Sequence, residues 1–156
     1  MKKLLCLLAL ISVVCVVGCE KVEEKGAYKE GTYFGYNVEE SHGEKYVSTA
    51  VIYVGENGKI ENVFIDSTYT KDGVNTTKKV LGDDYGMKST SANMGNIEGG
   101  AEWYEQIKVL EDKVVAEQGI DWLVLNDSNK TDAVSGVTIT VDGYQKALAN
   151  ALKNAK

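Results

Sequence analysis

The sequence predicts an α+β fold, in which a small antiparallel sheet with an N-terminal β-hairpin packs against two helices. β-branched and aromatic residues fill positions 45–54 and 60–69, and the Asn57-Gly58 pair between them suits the positive backbone angles of a tight hairpin turn. Two later segments carry apolar residues at helical spacing. The chain has 156 residues, of which 44% are apolar, which is enough for one domain with a core and too short for two.

The segments on either side of the hairpin differ in character. GTYFGYN at 31–37 predicts a first strand, with aromatic residues between glycines. Residues 70–100 are polar, rich in glycine and without clear periodicity. They predict a long functional loop with a short helix near 76–81.

Two helices complete the predicted domain. The segment AEWYEQIKVLEDKVVAEQ at 101–118 predicts the first helix, which Gly119 would end. Its apolar face consists of Trp103, Ile107, Leu110 and Val114. The next segment, IDWLVL at 120–125, either extends this helix or forms a short strand. The C-terminal segment GYQKALANALKNAK predicts the second helix, with an apolar face of Tyr144, Ala147, Leu148, Ala151 and Leu152.

The N-terminus has the order of a secretory signal. MKK is a short positive region, LLCLLALISVVCVV is a continuous apolar stretch, and VVGC at 16–19 ends in a small residue followed by cysteine. This ending resembles a bacterial lipobox, which implies a signal peptide at 1–18 and a diacylglycerol on the sulfur of Cys19. Residues 19–30 would then be the lipidated cysteine with a flexible tether, and 31–156 the folded domain. The alternatives are an uncleaved anchor helix and an ordinary signal peptide that contains cysteine.

Composition argues against several classes of function. All 17 basic residues are lysine, 23 residues are acidic and the formal net charge is -6, which argues against nucleic acid as a partner. Cys6 and Cys15 would leave with the signal peptide, and His42 is the single histidine. Thiol redox chemistry, iron-sulfur clusters, haem and ordinary zinc sites are therefore poorly supplied with ligands. We predict no metal site, and a redox role would need an organic cofactor.

The stretch DAVSGVTIT at 132–140 groups small and polar residues directly before the last helix: Asp132, Ser135, Gly136, Thr138 and Thr140. Thr140 and Asp142 are candidate caps of that helix. Unpaired backbone N–H groups and the positive end of the helix dipole favour a phosphate at such a position. The alternative is a capped helix that follows a polar turn, and spacing alone favours this alternative.

DAVSGVT also resembles the flavinylation motif of the FMN-binding domain family, which reads aspartate, two variable residues, Ser or Thr, glycine, alanine, and Thr or Ser. The family includes subunits of sodium-pumping and Rnf-type redox complexes and lipoproteins of extracellular electron transfer. The resemblance covers most of residues 31–152. GTYFGYN is similar to the family's opening strand, AVIYVGENGKIENVFI to its hairpin, and YGMK with AEWYEQIKVLE to its middle segment.

The resemblance implies a covalent cofactor. A flavin transferase that uses FAD as the FMN donor would attach FMN to Thr138 through a phosphoester and release AMP. Asp132 would help to position the segment, and Ser135 and Gly136 would shape the turn around the phosphate. Val137 stands where the family has alanine, a departure that bears on the efficiency of transfer.

Two further cofactor-binding candidates come from their positions in the sequence. Thr140 is the competing acceptor, although its hydroxyl would be committed to the helix cap. Tyr104 is the candidate to stack on the isoalloxazine ring, because Trp103 fits the apolar face of its helix and is expected in the core.

The function that the resemblance implies is an electron carrier. The protein would lie on the extracytoplasmic face of the cell membrane, held by its lipid anchor, and would have no substrate turnover of its own. It would shuttle electrons between a quinone- or NADH-linked membrane redox protein and external acceptors. The alternative is a non-redox solute- or anion-binding lipoprotein that uses the same fold.

Overall fold

A computed structural model describes residues 24–41, 43–94 and 97–156. The predicted α+β fold is confirmed: a four-stranded antiparallel sheet, in the order β1-β2-β3-β4, packs against helices. The strands are β1 (Gly31–Ser41), β2 (Glu44–Val54), β3 (Ile60–Lys71) and β4 (Val74–Thr77). The helices are α1 (Lys78–Leu81), α2 (Lys88–Asn93), α3 (Trp103–Glu117) and α4 (Asp142–Asn154), with a 3₁₀ turn at Gly82–Tyr85. The predicted signal peptide, Cys19 and His42 lie outside the described residues.

The predicted hairpin is confirmed in strands β2 and β3. Of the Asn57-Gly58 pair, only Gly58 has the predicted positive φ, 75°, and its N–H donates to the carbonyl of Gly55 at 2.9 Å, which closes the turn. On β2, Ala50, Ile52 and Val54 are fully buried and alternate with more exposed residues. This period of two places one face of the sheet against the helices.

Helix α4 lies across β1 and β2, and Gly35 permits its close approach. A Cβ atom on Gly35 would lie 2.1 Å from the carbonyl oxygen of Ala147 and 2.5 Å from the amide nitrogen of Ala151. The apolar face predicted for this helix is confirmed, since the residues that compose it are all buried. A side chain at position 35 would push α4 away from the sheet.

Helix α3 covers the part of β3 that β4 leaves unpaired. The Glu111 carboxylate accepts a hydrogen bond from the N–H of Ile65 at 2.7 Å. The Gln118 side chain accepts from the N–H of Ile60 and donates to its carbonyl, both at 2.8 Å. The backbone groups of an open strand edge are thus satisfied by helix side chains.

Three local predictions need correction. The short helix predicted near 76–81 is confirmed as α1, but residues 70–100 also contain β4, a 3₁₀ turn and α2 and are not one long loop, because elements of four to six residues are too short to leave a periodic pattern. Helix α3 ends through Gln118, whose φ is 56°, rather than through Gly119. The segment at 120–125 is neither helix nor strand but a turn, in which the Trp122 indole donates to the carbonyl of Gly119 at 2.9 Å.

The predicted tether is too long at its C-terminal end. The N–H groups of Gly26 and Tyr28 donate to the carbonyls of Asn57 and Gly58, and that of Lys29 donates to the carbonyl of Ala155. Residues 26–29 therefore dock on the hairpin turn and on the end of α4. Within the described ranges, no helix has the length and apolar character needed to cross a membrane.

Candidate functional site

From Val137 to Val141, buried and more exposed side chains alternate along the chain. Val137, Ile139 and Val141 are at most 8% exposed, whereas Thr138 is half-buried and Thr140 is exposed. The apolar side chains hold the segment on the core, and the two threonines between them are more exposed. The branched side chain of Val137 is 6% exposed and packs in the core, and the residue also contributes to the wall of the cavity that this stretch forms.

Gln106 of α3 holds Thr138. Its side-chain carbonyl accepts from the Thr138 N–H at 2.8 Å and from the Thr138 hydroxyl at 3.2 Å. The amide of Gln106 in turn donates to the carbonyl of Ala101 at 3.3 Å, and the residue is fully buried. This double contact fixes both the backbone and the hydroxyl of the threonine.

Sequence reasoning did not find Gln106. The residue lies on the buried face of α3, between Trp103 and Ile107 and among apolar side chains. A polar side chain in an apolar stripe is a signal for a buried hydrogen-bond partner, because such a group is costly to bury alone. The identity of that partner is set by the tertiary fold.

Asp132, Ser135, Gly136 and Thr138 line one open cavity of about 310 Å³, which we call the motif cavity. Gly136 has a φ of 83°, and a Cβ there would meet no atom within 4 Å, so backbone conformation rather than space favours glycine. The Asp132 carboxylate accepts from the Asn126 amide at 3.4 Å. Asn126 itself accepts from the N–H groups of Ser128 and Lys130, which orders the preceding turn.

Thr140 does not join the motif cavity, and its predicted role as a helix cap is wrong. The N-cap of α4 is Val141, and no side chain donates or accepts a capping hydrogen bond there. Thr140 instead lines a second cavity of about 280 Å³, which we call the Lys78 cavity. Its walls also include Glu39, Tyr46, Ser48, Ser67, Tyr69, Lys78, Tyr85, Asp142, Gly143 and Tyr144.

The Lys78 ammonium lies among aromatic rings. It is 5.2 Å from the ring centre of Tyr85 and 5.4 Å from that of Trp103. Burial lowers the pKa of Lys78, while the carboxylates of Asp66 and Glu39 act in the opposite direction. The Trp103 indole donates to the Tyr144 hydroxyl at 3.2 Å, so the expected core position of Trp103 is confirmed and forms part of the cavity's support.

Two carboxylates face the same cavity near the start of α4. Burial raises the pKa of Glu39, and the negative charge of Asp142 adds to the rise. The Asn37 amide donates to Glu39 at 3.0 Å. A Cβ on Gly143 would lie 2.6 Å from the Glu39 carboxylate and 2.8 Å from the Ser48 hydroxyl, so a side chain there would displace these two polar groups.

Tyr104 lines neither the motif cavity nor the Lys78 cavity. Its hydroxyl donates to the Asp83 carboxylate at 3.0 Å, and this hydrogen bond raises the pKa of Tyr104. It lines an open depression of about 700 Å³ with Lys79 and Lys108. Positions 104 and 106 face different sides of a helix with 3.6 residues per turn, so Tyr104 is turned away from the Gln106 contact with Thr138.

Comparison with known proteins identifies the family. The model of the FMN-binding domain matches residues 43–153, which is more than half of the chain and includes the hairpin, α3, the motif cavity and α4. No curated protein and no solved structure matches the chain significantly. The chain therefore belongs to the FMN-binding domain family and is a flavin-binding protein with FMN as its cofactor.

Proposed function

We propose that the protein is a membrane-anchored extracytoplasmic flavoprotein that carries FMN covalently on Thr138 and shuttles electrons. Its partners would be a quinone- or NADH-linked membrane redox protein on one side and external acceptors on the other. It has no substrate turnover of its own, and it is a substrate of a flavin transferase that uses FAD.

The geometry of Thr138 is the observation that carries this proposal. Its hydroxyl is partly buried and is held by the Gln106 side chain. In the transfer, the Thr138 oxygen forms a bond to the phosphorus of the FMN half of FAD, the bond from that phosphorus to the AMP oxygen breaks, and AMP leaves. The hydroxyl proton passes to a base of the transferase. Gln106 presents the oxygen in a fixed place, which reduces the entropy that the transfer has to overcome.

The residues of the motif cavity fit the phosphate end of FMN. Ser135 is exposed and supplies a hydroxyl, and Gly136 leaves open space next to the backbone. Asp132 is held by Asn126, which supports its role in positioning the segment. When bound, FMN supplies reversible uptake of electrons, and the chain's own residues bind and orient it.

The tether supports a position close to the membrane. Residues 26–29 are docked on the domain, so only the chain from Cys19 to Gly26 separates the lipid from the fold. That length spans at most about 25 Å when fully extended. A short tether keeps the domain within reach of a membrane partner.

Intact mass and in-gel flavin fluorescence test the proposal. The full chain would be expressed in bacteria with a flavin transferase, with Thr138→Ala and Thr140→Ala beside wild type. We expect wild type and Thr140→Ala to gain the mass of FMN minus water and Thr138→Ala to remain unmodified. The flavin should fractionate with the membrane in wild type and become soluble in Cys19→Ser.

Other outcomes of this experiment favour the alternatives. An unmodified wild type beside a flavinylated control substrate would favour the non-redox anion-binding lipoprotein, which is colourless. Flavin that is lost on denaturation would indicate noncovalent binding. If only Thr140→Ala lost the flavin fluorescence, the attachment site would be Thr140 and not Thr138.

A further inference from the structure

We propose that the Lys78 cavity holds the isoalloxazine ring of the FMN carried on Thr138, and that the Lys78 ammonium faces this ring and favours its reduction. The inference deepens the proposed function and rests on it. It replaces Tyr104, the residue that sequence alone favours for stacking on the ring.

Two segments, the one that follows Thr138 and helix α3, connect the cavity to the attachment site. Thr140, two residues after Thr138, lines the cavity. On α3, Trp103 stands one turn before Gln106, and its indole donates to Tyr144 in the cavity wall. The same helix therefore holds the acceptor threonine and supports the cavity.

The walls suit a flat aromatic ring with polar edges. Tyr69 and Tyr85 meet edge to face, with ring centres 5.1 Å apart, and Tyr144 adds a third aromatic side chain. Ser48 and Ser67 are at most 4% exposed and line the same space, and the Ser67 hydroxyl also donates to the carbonyl of Thr68 at 3.4 Å. Aromatic faces suit stacking, and the hydroxyls suit the carbonyl and N–H groups at one edge of the flavin ring.

Lys78 has no ionic partner among the described residues, and none of their hydrogen bonds includes its ammonium. The neighbouring Lys79 differs, because it pairs with the buried Glu111. Asp66 acts on Lys78 through its charge without an ion pair, and its Oδ1 accepts from the N–H groups of Ser67 and Lys79 at 2.8 and 3.1 Å. The ammonium is partly buried and makes no direct ionic contact, so the carbonyl oxygens of a flavin ring in the cavity would give it the acceptors that it lacks.

The Tyr104 depression is the competing location for the ring. It is more than twice as large in volume and is lined by six residues, among which Tyr104 is the one aromatic. It also lies on a different side of α3 from Gln106, which holds Thr138. The Lys78 cavity therefore matches the ring better in both composition and position.

The consequence for the cofactor is electrostatic. A positive charge against the flavin ring stabilises the electrons that the ring takes up, and its removal should lower the midpoint potential. We expect the equilibrium constant for reduction to fall about tenfold or more when the charge is lost, since a partly buried unit charge at a few Å acts through a low effective dielectric.

Paired variants of the full-length flavinylated lipoprotein test this inference. Lys78→Met removes the charge at the cavity, and Lys108→Met is the matched control at the Tyr104 depression. The readouts are intact mass, the visible absorption spectrum and the midpoint potential of the attached flavin. We expect both variants to carry FMN, with a shifted spectrum and a lower potential in Lys78→Met alone.

A second pair of variants keeps the inference testable if Lys78→Met fails to fold or to load. Tyr85→Leu removes an aromatic wall of the cavity and should raise the fluorescence of the attached flavin several-fold, whereas Tyr104→Leu should leave it unchanged. Equal potentials in wild type and Lys78→Met, or effects confined to Lys108→Met and Tyr104→Leu, overturn the inference while the proposed function stands. A wild type without covalent FMN overturns both.

Discussion

At the residue scale, Thr138 and Gln106 depend on each other. Thr138 belongs to a motif that is visible in seven consecutive letters, and Gln106 lies 32 positions away on another element. The single side chain of Gln106 satisfies the N–H and the hydroxyl of the threonine, and it also binds the carbonyl of Ala101. A buried polar residue of this kind stabilises the loop and, in the proposed function, also fixes the geometry of the acceptor hydroxyl.

The variant Gln106→Met should separate these two roles. Methionine keeps the volume but leaves the Thr138 N–H and the Ala101 carbonyl without a partner, which costs about 1–3 kcal/mol. We expect a lower urea midpoint and slower flavin transfer onto Thr138, followed by intact mass over time. Ile107→Val should also lower stability, by about 0.5–1.5 kcal/mol, but leave the transfer rate unchanged. Equal slowing in both variants would mean that Gln106 acts only through stability.

At the scale of elements, the helices are attached to the sheet in two different ways. Helix α4 packs on β1 through backbone contact at Gly35, whereas α3 uses the Glu111 and Gln118 side chains to satisfy the backbone of β3. Periodicity predicts both helices, because each has an apolar face. Periodicity does not distinguish a helix that packs on the face of a sheet, such as α4, from one that bonds the backbone of an edge, such as α3. Both kinds of helix bury apolar side chains.

The substitution Gly35→Ala tests the packing of α4 on β1. The new Cβ would lie 2.1 Å from a backbone oxygen of α4, so the helix must shift. We expect a loss of at least about 2 kcal/mol in the free energy of unfolding, measured by chemical denaturation. The exposed Val38→Ala on the same strand is the control, with an expected change within about 0.5 kcal/mol. A stability of Gly35→Ala equal to that of the control would contradict the close packing.

At the scale of the whole molecule, the docked segment 26–29 and the Lys78 cavity lie at opposite ends of the sheet. Residues 26–29 dock at the hairpin turn and at the end of α4, and the Lys78 cavity lies where α4 begins. Gly31 and Glu39, near the two ends of β1, are about 26 Å apart at the rise of a strand. In the proposed lipoprotein, the flavin ring would therefore lie at the end away from the docked tether, where a soluble acceptor can approach.

The charge balance of the domain predicts a pH dependence of stability. The pKa of Glu39 is raised in the fold by burial and by Asp142, against the opposing charges of Lys146 and Lys78. A raised folded pKa means that the contribution of this group to stability is present at low pH and is lost as the pH rises through the folded pKa. At neutral pH, Glu39 therefore destabilises the fold in its charged form.

Thermal unfolding of Glu39→Gln against pH measures this effect. Glutamine keeps the acceptor for Asn37 and carries no charge, so the variant should have a higher Tm than wild type at neutral pH. The difference should vanish as the pH falls below the usual pKa of a glutamate, where both side chains are neutral. Glu40→Gln, one residue further along β1, is the control. A Tm difference that does not change with pH would show that charge is not the cause.

The sequence by itself determined the α+β class, the hairpin with its Asn57-Gly58 turn, both long helices and the resemblance of residues 132–138 to a flavinylation motif. These features depend on neighbours within a few residues, and local patterns record them. The tertiary structure decided which side chain holds Thr138, how α3 seals the sheet and where a cavity forms around Lys78. The residues of that cavity come from β1, β2, β3, α1, the 3₁₀ turn, α4 and the segment before α4, and their approach depends on long-range packing that no local pattern contains.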